Sequence, residues 1–451
     1  MPRLPSHLFG HPLGFHVLFL TELWERFGFY LMRALLVLYC VKVLGLSEEQ
    51  AAEWFGWYLG AVYLMPTPMG IIADRYLGSG RAVVIGSAVM IVGHLIMAVE
   101  QRWAAVLAMG LLAVGGGLFK PSMNAQLSKL YEKDDEERHD RAFSLFYVGI
   151  NMGALLSPLA GWWLQKRYGW SVAFGSAGVG LAIGQLTYLL GRRFIVDRRN
   201  EAISVSPFNL KPVIGKQEEP SDTGRRIAAV LALSLLTSLF WASYYADGGV
   251  LILWAKSSVR GFGDKAALTN MMNPACILLL TAPIAWALAV WGRRKGKPVS
   301  SLTKLVIGYS FGAMAFLPIA WAARSASASA NWVLGFYVLI TIGELLVQPL
   351  GMALVAKLAP PKHQAFLLGV WLLSSSLGGV IIGQLARWWN SMPHSAFFLL
   401  LAGLPAVGAL SLLGLWKPLS MLLGETDSER SVKVRQPRPA LRLVRGWKKA
   451  A

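Results

Sequence analysis

The sequence predicts an all-α membrane protein, and three observations predict it. Of the 451 residues, 55% are hydrophobic and only 15% charged, where soluble domains average about 25% charged. Twelve segments are long and apolar enough to cross a bilayer, which takes about 20 residues each. Lysine and arginine also divide unevenly between the two sides that those segments would separate.

The segments lie at 14–42, 52–73, 82–99, 103–128, 142–165, 170–191, 227–255, 267–291, 302–322, 331–356, 363–387 and 395–416. The 18 Trp residues suit membrane interfaces, where the ring is half buried and its polar edge stays wet. The 46 glycines suit close helix packing in lipid. The N-terminus (MPRLPSHLFGHPLGFHVLF) has no basic region followed by an apolar stretch and a small-residue cleavage site. The first span is therefore expected to be retained.

With both termini in the cytoplasm, 31 of the 43 Lys and Arg residues face that side and nine face the other, and Arg26, Arg33 and Lys120 lie within spans. The excess sets that orientation. It also accounts for the net charge of +19 without nucleic acid. The basic linker and tail are expected to lie against anionic lipid headgroups.

A polar, proline-containing linker at 192–226 divides the chain into a six-span half at 1–191 and another at 227–416, with a basic tail at 417–451. Weak internal similarity supports the division. Span four reads Pro121-SMNAQLS-Lys129-Leu130 and span ten reads Pro349-LGMALVA-Lys357-Leu358. Span five ends in Gly161-Trp162-Trp163 and span eleven in Arg387-Trp388-Trp389. Paired six-helix halves are the plan of the major facilitator fold, with the solute held between them near the membrane midplane. The loop GIIADRYLGSGR at 70–81 matches that fold's short cytoplasmic loop.

Ionised side chains inside a bilayer cost at least ~2.5–3.5 kcal/mol each, yet span one carries Glu22, Glu25, Arg26 and Arg33. At about 100° per residue, these four and Tyr30 share a face about 140° wide, which must look into protein or water. Span four adds Lys120, just before Pro121, where a bend is expected. Span seven adds Asp247 and span ten Glu344. Glu22 and Arg26, spaced i,i+4, could simply neutralise each other. The remaining charges exceed what neutralisation needs, so the set can bind an anion, take up a proton, or do both. A carboxylate beside a cation stays ionised, and one that loses its partner in a low dielectric takes up a proton. A carboxylate that changes partners between conformations therefore couples protons to movement.

Glu22-Leu-Trp-Glu25-Arg26-Phe27 resembles the ExxERF motif of the proton-dependent oligopeptide transporter family, a branch of the major facilitator superfamily. The resemblance continues through Met32-Arg33-Ala34, Ala73-Asp74-Arg75-Tyr76-Leu77-Gly78, Lys120-Pro121 and Phe146-Tyr147-Val148-Gly149-Ile150-Asn151-Met152-Gly153. In the second half it includes Phe240-Trp241-Ala242, Asn273-Pro274, Gly343-Glu344-Leu345, Lys357-Leu358-Ala359-Pro360 and Trp371.

The resemblance implies a proton-coupled symporter that imports di- and tripeptides by alternating access. Glu22, Glu25, Arg26 and Lys120 would form its proton-coupling cluster. Arg33 and Lys120 would bind the peptide carboxylate, Arg33 through a bidentate fork. Glu344, with Asn151 and Asn273, would receive the amino terminus. Tyr30, Tyr63, Tyr245 and Trp371 would line the pocket, and Asp247 is a candidate gate. The proton is the only coupling ion implied, with no cofactor, in a monomer of the cell membrane.

The chain departs from the family pattern at several places. Phe29 stands where a Tyr is common, and Gln348 where a Ser is common. Tyr245 occupies the usual place of a span-seven acid, with Asp247 two residues on. Two residues are about 200° around a helix, so Asp247 can substitute only if the helix unwinds near Gly248-Gly249. The linker is too short and polar for the two extra helices that many bacterial members carry.

Two other transport readings remain open: carriage of another anionic solute, such as nitrate or a modified amino acid, and proton-driven drug export. An enzyme is not expected, since no P-loop, GxSxG or metal-spaced His cluster occurs. The only two cysteines, Cys40 and Cys276, lie in apolar runs and support neither a disulfide framework nor a metal site.

Overall fold

The computed structural model describes residues 7–8, 10–131, 136–195, 222–296, 298–360 and 363–423, the backbone alone at 7–8, 136–141 and 365. Most of the linker and nearly all of the basic tail lie outside the described residues, as does the placement expected for them against lipid. A two-residue hairpin (β1, His7–Leu8; β2, His11–Pro12) precedes an otherwise helical chain.

The first half contains α1 (Leu13–Lys42), α2 (Glu48–Leu64), α3 (Pro66–Ile72), α4 (Ser79–Met97), α5 (Arg102–Lys129), α6 (Glu136–Tyr168) and α7 (Trp170–Gly191). The second contains α8 (Thr223–Tyr244), α9 (Val250–Ser258), α10 (Met272–Lys295), α11 (Ser301–Ala322), α12 (Ala330–Leu358), α13 (Gln364–Leu385), α14 (His394–Gly414) and the short α15 (Trp416–Leu422).

Ten helical segments meet a length and hydropathy test for spans among the described residues. The two expected spans that fail it do so for physical reasons. The first carries four charged side chains. The second is divided at Pro66, whose ring occupies the first turn of α3. Both still run beside the other helices as parts of the first half.

Several helices are longer than their apolar stretches. α2 starts at a capping box in which Ser47 and Gln50 bond each other's backbone N–H groups, four residues before the expected limit of 52. α5 continues through Pro121 to Lys129 as one helix.

The expected seventh span is not one helix. α8 stops at Tyr244, a 3₁₀ turn covers Tyr245–Gly248, and Gly249 adopts φ −113°, ψ −108° before α9 resumes. A second 3₁₀ stretch, Gly263–Met271, leads into α10.

Each half packs on itself: α1 on α6 and α7, and α4 on α5 and α7; then α11 on α12 and α14, and α8 on α13 and α14. The halves meet mainly along α2 and α13, and where α6 contacts residues 263–271 and α10. The seam between α2 and α13 depends on absent side chains. A Cβ on Gly56 would stand 2.4 Å from Gly383 Cα and 2.6 Å from the Gly379 carbonyl oxygen. Ser376 Oγ crosses the same seam and donates to the Gly60 carbonyl at 2.7 Å.

Polar contacts reinforce one end of the seam. Lys42 Nζ lies 2.8 Å from Asp264, Arg387 Nη2 lies 2.5 Å from Glu53, and Trp389 Nε1 donates to Glu48 at 2.9 Å. The first two pairs are exposed to water, which screens them, so their energetic contribution is small. Their consequence is positional: they close the face that carries the α1–α2 and α9–α10 connections.

Candidate functional site

α1 buries its charges. Glu22, Glu25, Arg26 and Arg33 are all at most 5% exposed. Arg26 forms a two-pronged pair with Glu25, and its Nε also lies 3.3 Å from Glu22 Oε1. Its guanidinium sits 5.0 Å from the Phe29 ring centroid. Lys120 of α5 faces the same group and interacts electrostatically with Arg26, Glu25 and Glu22. Glu22 Oε2 is buried without a hydrogen-bond partner. Four ionisable groups from two helices therefore share one buried space, and one acceptor is unsatisfied.

Two turns along α1, Arg33 reaches the other half. Its Nη2 lies 2.6 Å from Asp247 Oδ1, and both side chains are buried. The contact is made where the regular helix has ended: Asp247 lies in the 3₁₀ turn, just before the break at Gly249. Gly248 lets the turn approach α1 and α2: a Cβ there would stand 2.3 Å from the Phe55 ring and 3.2 Å from Arg33 Cγ. Arg33 also lies 5.3 and 5.6 Å from the ring centroids of Tyr244 and Tyr245. Its Nε is buried and unpaired.

A third group surrounds Glu344. Asn273 Nδ2 donates to Glu344 Oε2 at 2.8 Å and lies 3.0 Å from Thr341 Oγ1. The Tyr244 hydroxyl donates to Asn273 Oδ1 at 3.2 Å, so it reaches Glu344 through that amide. Tyr244 thus touches the amide–carboxylate pair with its hydroxyl while Arg33 rests against its ring. Tyr30 joins the three groups, having Arg26, Arg33, Tyr63 and Glu344 as electrostatic neighbours.

Most of the residues singled out in the sequence meet here, with corrections to their immediate roles. Arg33 does not present a free fork, because Asp247 holds it. Asn151 donates its amide to the Tyr147 carbonyl one turn back in α6, at 2.9 Å. Tyr245 does not line an open wall. It is 1% exposed, stacked between Tyr63 of the first half, at 5.5 Å, and Trp241, at 5.7 Å. Trp371 is likewise buried, with its indole laid against Gly351 of α12.

Sequence reading missed Tyr244, Thr341 and Tyr58, whose phenol has Glu25 and Arg26 as neighbours. Thr341 could have been found, since it precedes Glu344 by one helical turn. Tyr244 and Tyr58 are uncharged and sit among other aromatics, so no local pattern marks them. Among the described residues, no group of three His, Cys, Asp or Glu is arranged to hold a metal.

Comparison with known proteins places this geometry. A family model described as the POT family matches residues 80–202 and 201–400. The chain is 30% identical over 438 residues to dipeptide and tripeptide permease A of Serratia proteamaculans (strain 568), covering 84% of this chain and 83% of that protein. It is 30% identical over 431 residues to the protein of the same name from Escherichia coli (strain K12), covering 84% and 85%. A crystal structure of a peptide transporter POT in complex with sulfate superposes with a TM-score of 0.83 at 26% identity, covering 93% of this chain and 97% of that one.

Proposed function

This chain belongs to the POT family, and on that premise we propose that it carries di- and tripeptides across the cell membrane by alternating access, driven by protons. It is a multi-pass membrane transporter of the major facilitator fold, not an enzyme. Its curated relatives are named as dipeptide and tripeptide permeases. A solved POT structure 26% identical to it holds alafosfalin.

The observation that carries the reading is that Tyr244 connects Arg33 and Glu344, from opposite halves: its ring lies by Arg33 and its hydroxyl reaches Glu344 through Asn273. A small peptide is a zwitterion. A cation at one end of a site and a carboxylate at the other match its two termini. Arg33 serves two partners in turn. Empty, it is held by Asp247; loaded, its unpaired Nε and a released Nη2 form the fork that takes the peptide carboxylate. Glu344 with Asn273 receives the amino terminus. An inorganic anion would leave that carboxylate without a purpose.

Release of Asp247 when peptide binds would loosen the contact between halves, which links loading to reorientation. With the termini in the cytoplasm, the closed face is the outer one, and the structure is one state of such a cycle. Protons enter through the Glu22–Glu25–Arg26–Lys120 group. Arg26 is shared between two carboxylates, Lys120 can compete for them, and the unsatisfied Glu22 oxygen is where a proton would be accommodated. No second chain is needed for any of these contacts, and a monomer suffices.

The test is uptake of labelled dialanine into proteoliposomes. Accumulation under an inward proton gradient, abolished when the gradient is collapsed, is expected. Absence of accumulation, with outward movement instead, would overturn the reading in favour of an exporter.

A further inference from the structure

The lipid-facing side of the first half holds a cleft that the transport cycle does not use. It measures about 260 Å³, below the ~300–1,000 Å³ usual for small-molecule sites. One wall is α2, through Trp54, Trp57, Tyr58 and Ala61; the other is α5, through Val106, Met109 and Gly110. The α2 residues follow i, i+3, i+4, i+7 spacing and form a stripe about 130° around the helix from Gly56 and Gly60. One side of α2 thus seals the seam with α13, while another lines an apolar cleft.

The cleft has a charged mouth. Arg102 lies on the same face of α5 as Val106, Met109 and Gly110, within a sector about 100° wide. It stands at the first turn of the helix, exposed. Its guanidinium bridges to the loop before α2, with Nε donating to the Leu44 carbonyl at 2.9 Å and Nη2 to the Gly45 carbonyl at 3.2 Å. Those two bonds leave further donors of the guanidinium for another acceptor. The nearby Glu100 turns its carboxylate to Ser171, accepting from the backbone N–H at 3.0 Å and the hydroxyl at 2.6 Å, rather than to Arg102. Trp103, next to Arg102 in the chain, is 63% exposed. Such an exposed indole marks headgroup depth.

We propose that this cleft is a phospholipid site. The phosphate pairs with Arg102, and one acyl chain lies between α2 and α5 in the leaflet on the closed side. The match is of two chemistries in the right order: a cation at interface depth, followed by an apolar slot leading inward. Along the slot the chain meets Tyr58, which has Glu25 and Arg26 as electrostatic neighbours. The lipid therefore supports, from the membrane side, both the helix that forms the seam and a tyrosine beside the charged group.

Native mass spectrometry of the delipidated full-length chain, titrated with dipalmitoyl phosphatidylglycerol, tests this. One lipid should be retained after weaker ones dissociate. Arg102→Gln should weaken its retention about fivefold, the equivalent of the ~1 kcal/mol expected for one basic side chain near a membrane surface. Gly110→Phe should abolish it; a Cβ at Gly110 meets nothing within 4 Å, so the new ring is free to fill the cleft. Ala61→Phe, from the opposite wall, obstructs the slot independently if the first variant fails to fold. Leu279→Phe, on the exposed side of α10, should retain lipid like the wild type. Equal retention by the cleft variants and Leu279→Phe would reduce the lipid to ordinary annular contact and overturn the proposal. The readout is binding, so its failure is separate from any failure of peptide carriage.

Discussion

Arg33 of α1 and Asp247, in the turn that follows α8, form a buried ion pair at 2.6 Å that joins the two halves of the molecule. Neither residue has another charged partner so close. Removing one partner of a buried pair leaves an uncompensated charge and typically costs ~3–5 kcal/mol. Asp247→Ala is therefore expected to weaken the closed face and raise the fraction of molecules open on that side. A cross-link made by a short bis-maleimide between cysteines placed at Lys42 and Asp264, whose side chains meet at 2.8 Å, reports closure. It should form readily in the otherwise unchanged protein and much less in Asp247→Ala. Equal yields would show that the ion pair does not hold the face shut. The native Cys40 and Cys276 are buried and should not interfere.

Gly56 makes a steric counterpart to that experiment. Its missing side chain lets α2 come within backbone contact of α13, and Gly56→Val would direct atoms at the Gly383 backbone, which cannot move aside. Gly56→Val should lose uptake and the Lys42–Asp264 cross-link together, while the protein remains monodisperse in detergent. Retained cross-linking would mean that the seam tolerates separation.

Lys120 is the cation that can relieve Arg26 of its carboxylates. Lys120→Ala should abolish accumulation driven by a proton gradient while leaving peptide exchange across the membrane at equal pH. Full accumulation by this variant would remove Lys120 from the coupling group.

Tyr244 is the test of the connection between the ends of the site. Tyr244→Phe keeps the ring beneath Arg33 and deletes the hydroxyl bonded to Asn273, the amide that holds Glu344. A hydrogen bond of this kind contributes about 0.5–1.5 kcal/mol, so peptide affinity should fall roughly two- to tenfold. Competition assays should show the loss for peptides with a free amino terminus and little for N-blocked analogues. An equal loss for both would assign the hydroxyl to packing.

Glu344→Gln should discriminate between the same two peptide classes more strongly, because it removes the charge itself. The comparison separates the carboxylate from its positioning tyrosine. If both variants bind free and blocked peptides alike, the amino terminus is received elsewhere.

The first span shows how far sequence reading carries. Glu22, Arg26 and Arg33 fall on one helical face by spacing alone, and burial of all three follows from the cost of exposing charge to lipid. Glu344 is legible for the same reason. Asp247 is different. It meets Arg33 from the 3₁₀ turn at Tyr245–Gly248, after the regular helix has ended. Asn151 shows what a motif leaves out: that its amide donates to the Tyr147 carbonyl one turn back is seen only in the structure.

The sequence by itself determined the spans, the two halves and the inventory of buried charge, because hydropathy and helical period act locally and every residue in lipid obeys them. Only the tertiary structure decided which charges are paired, that Tyr244 links the two ends of the site, and that glycines 56 and 383 meet. Those facts depend on how helices far apart in the chain approach one another, and that approach is set by packing across the seam, which no local pattern encodes.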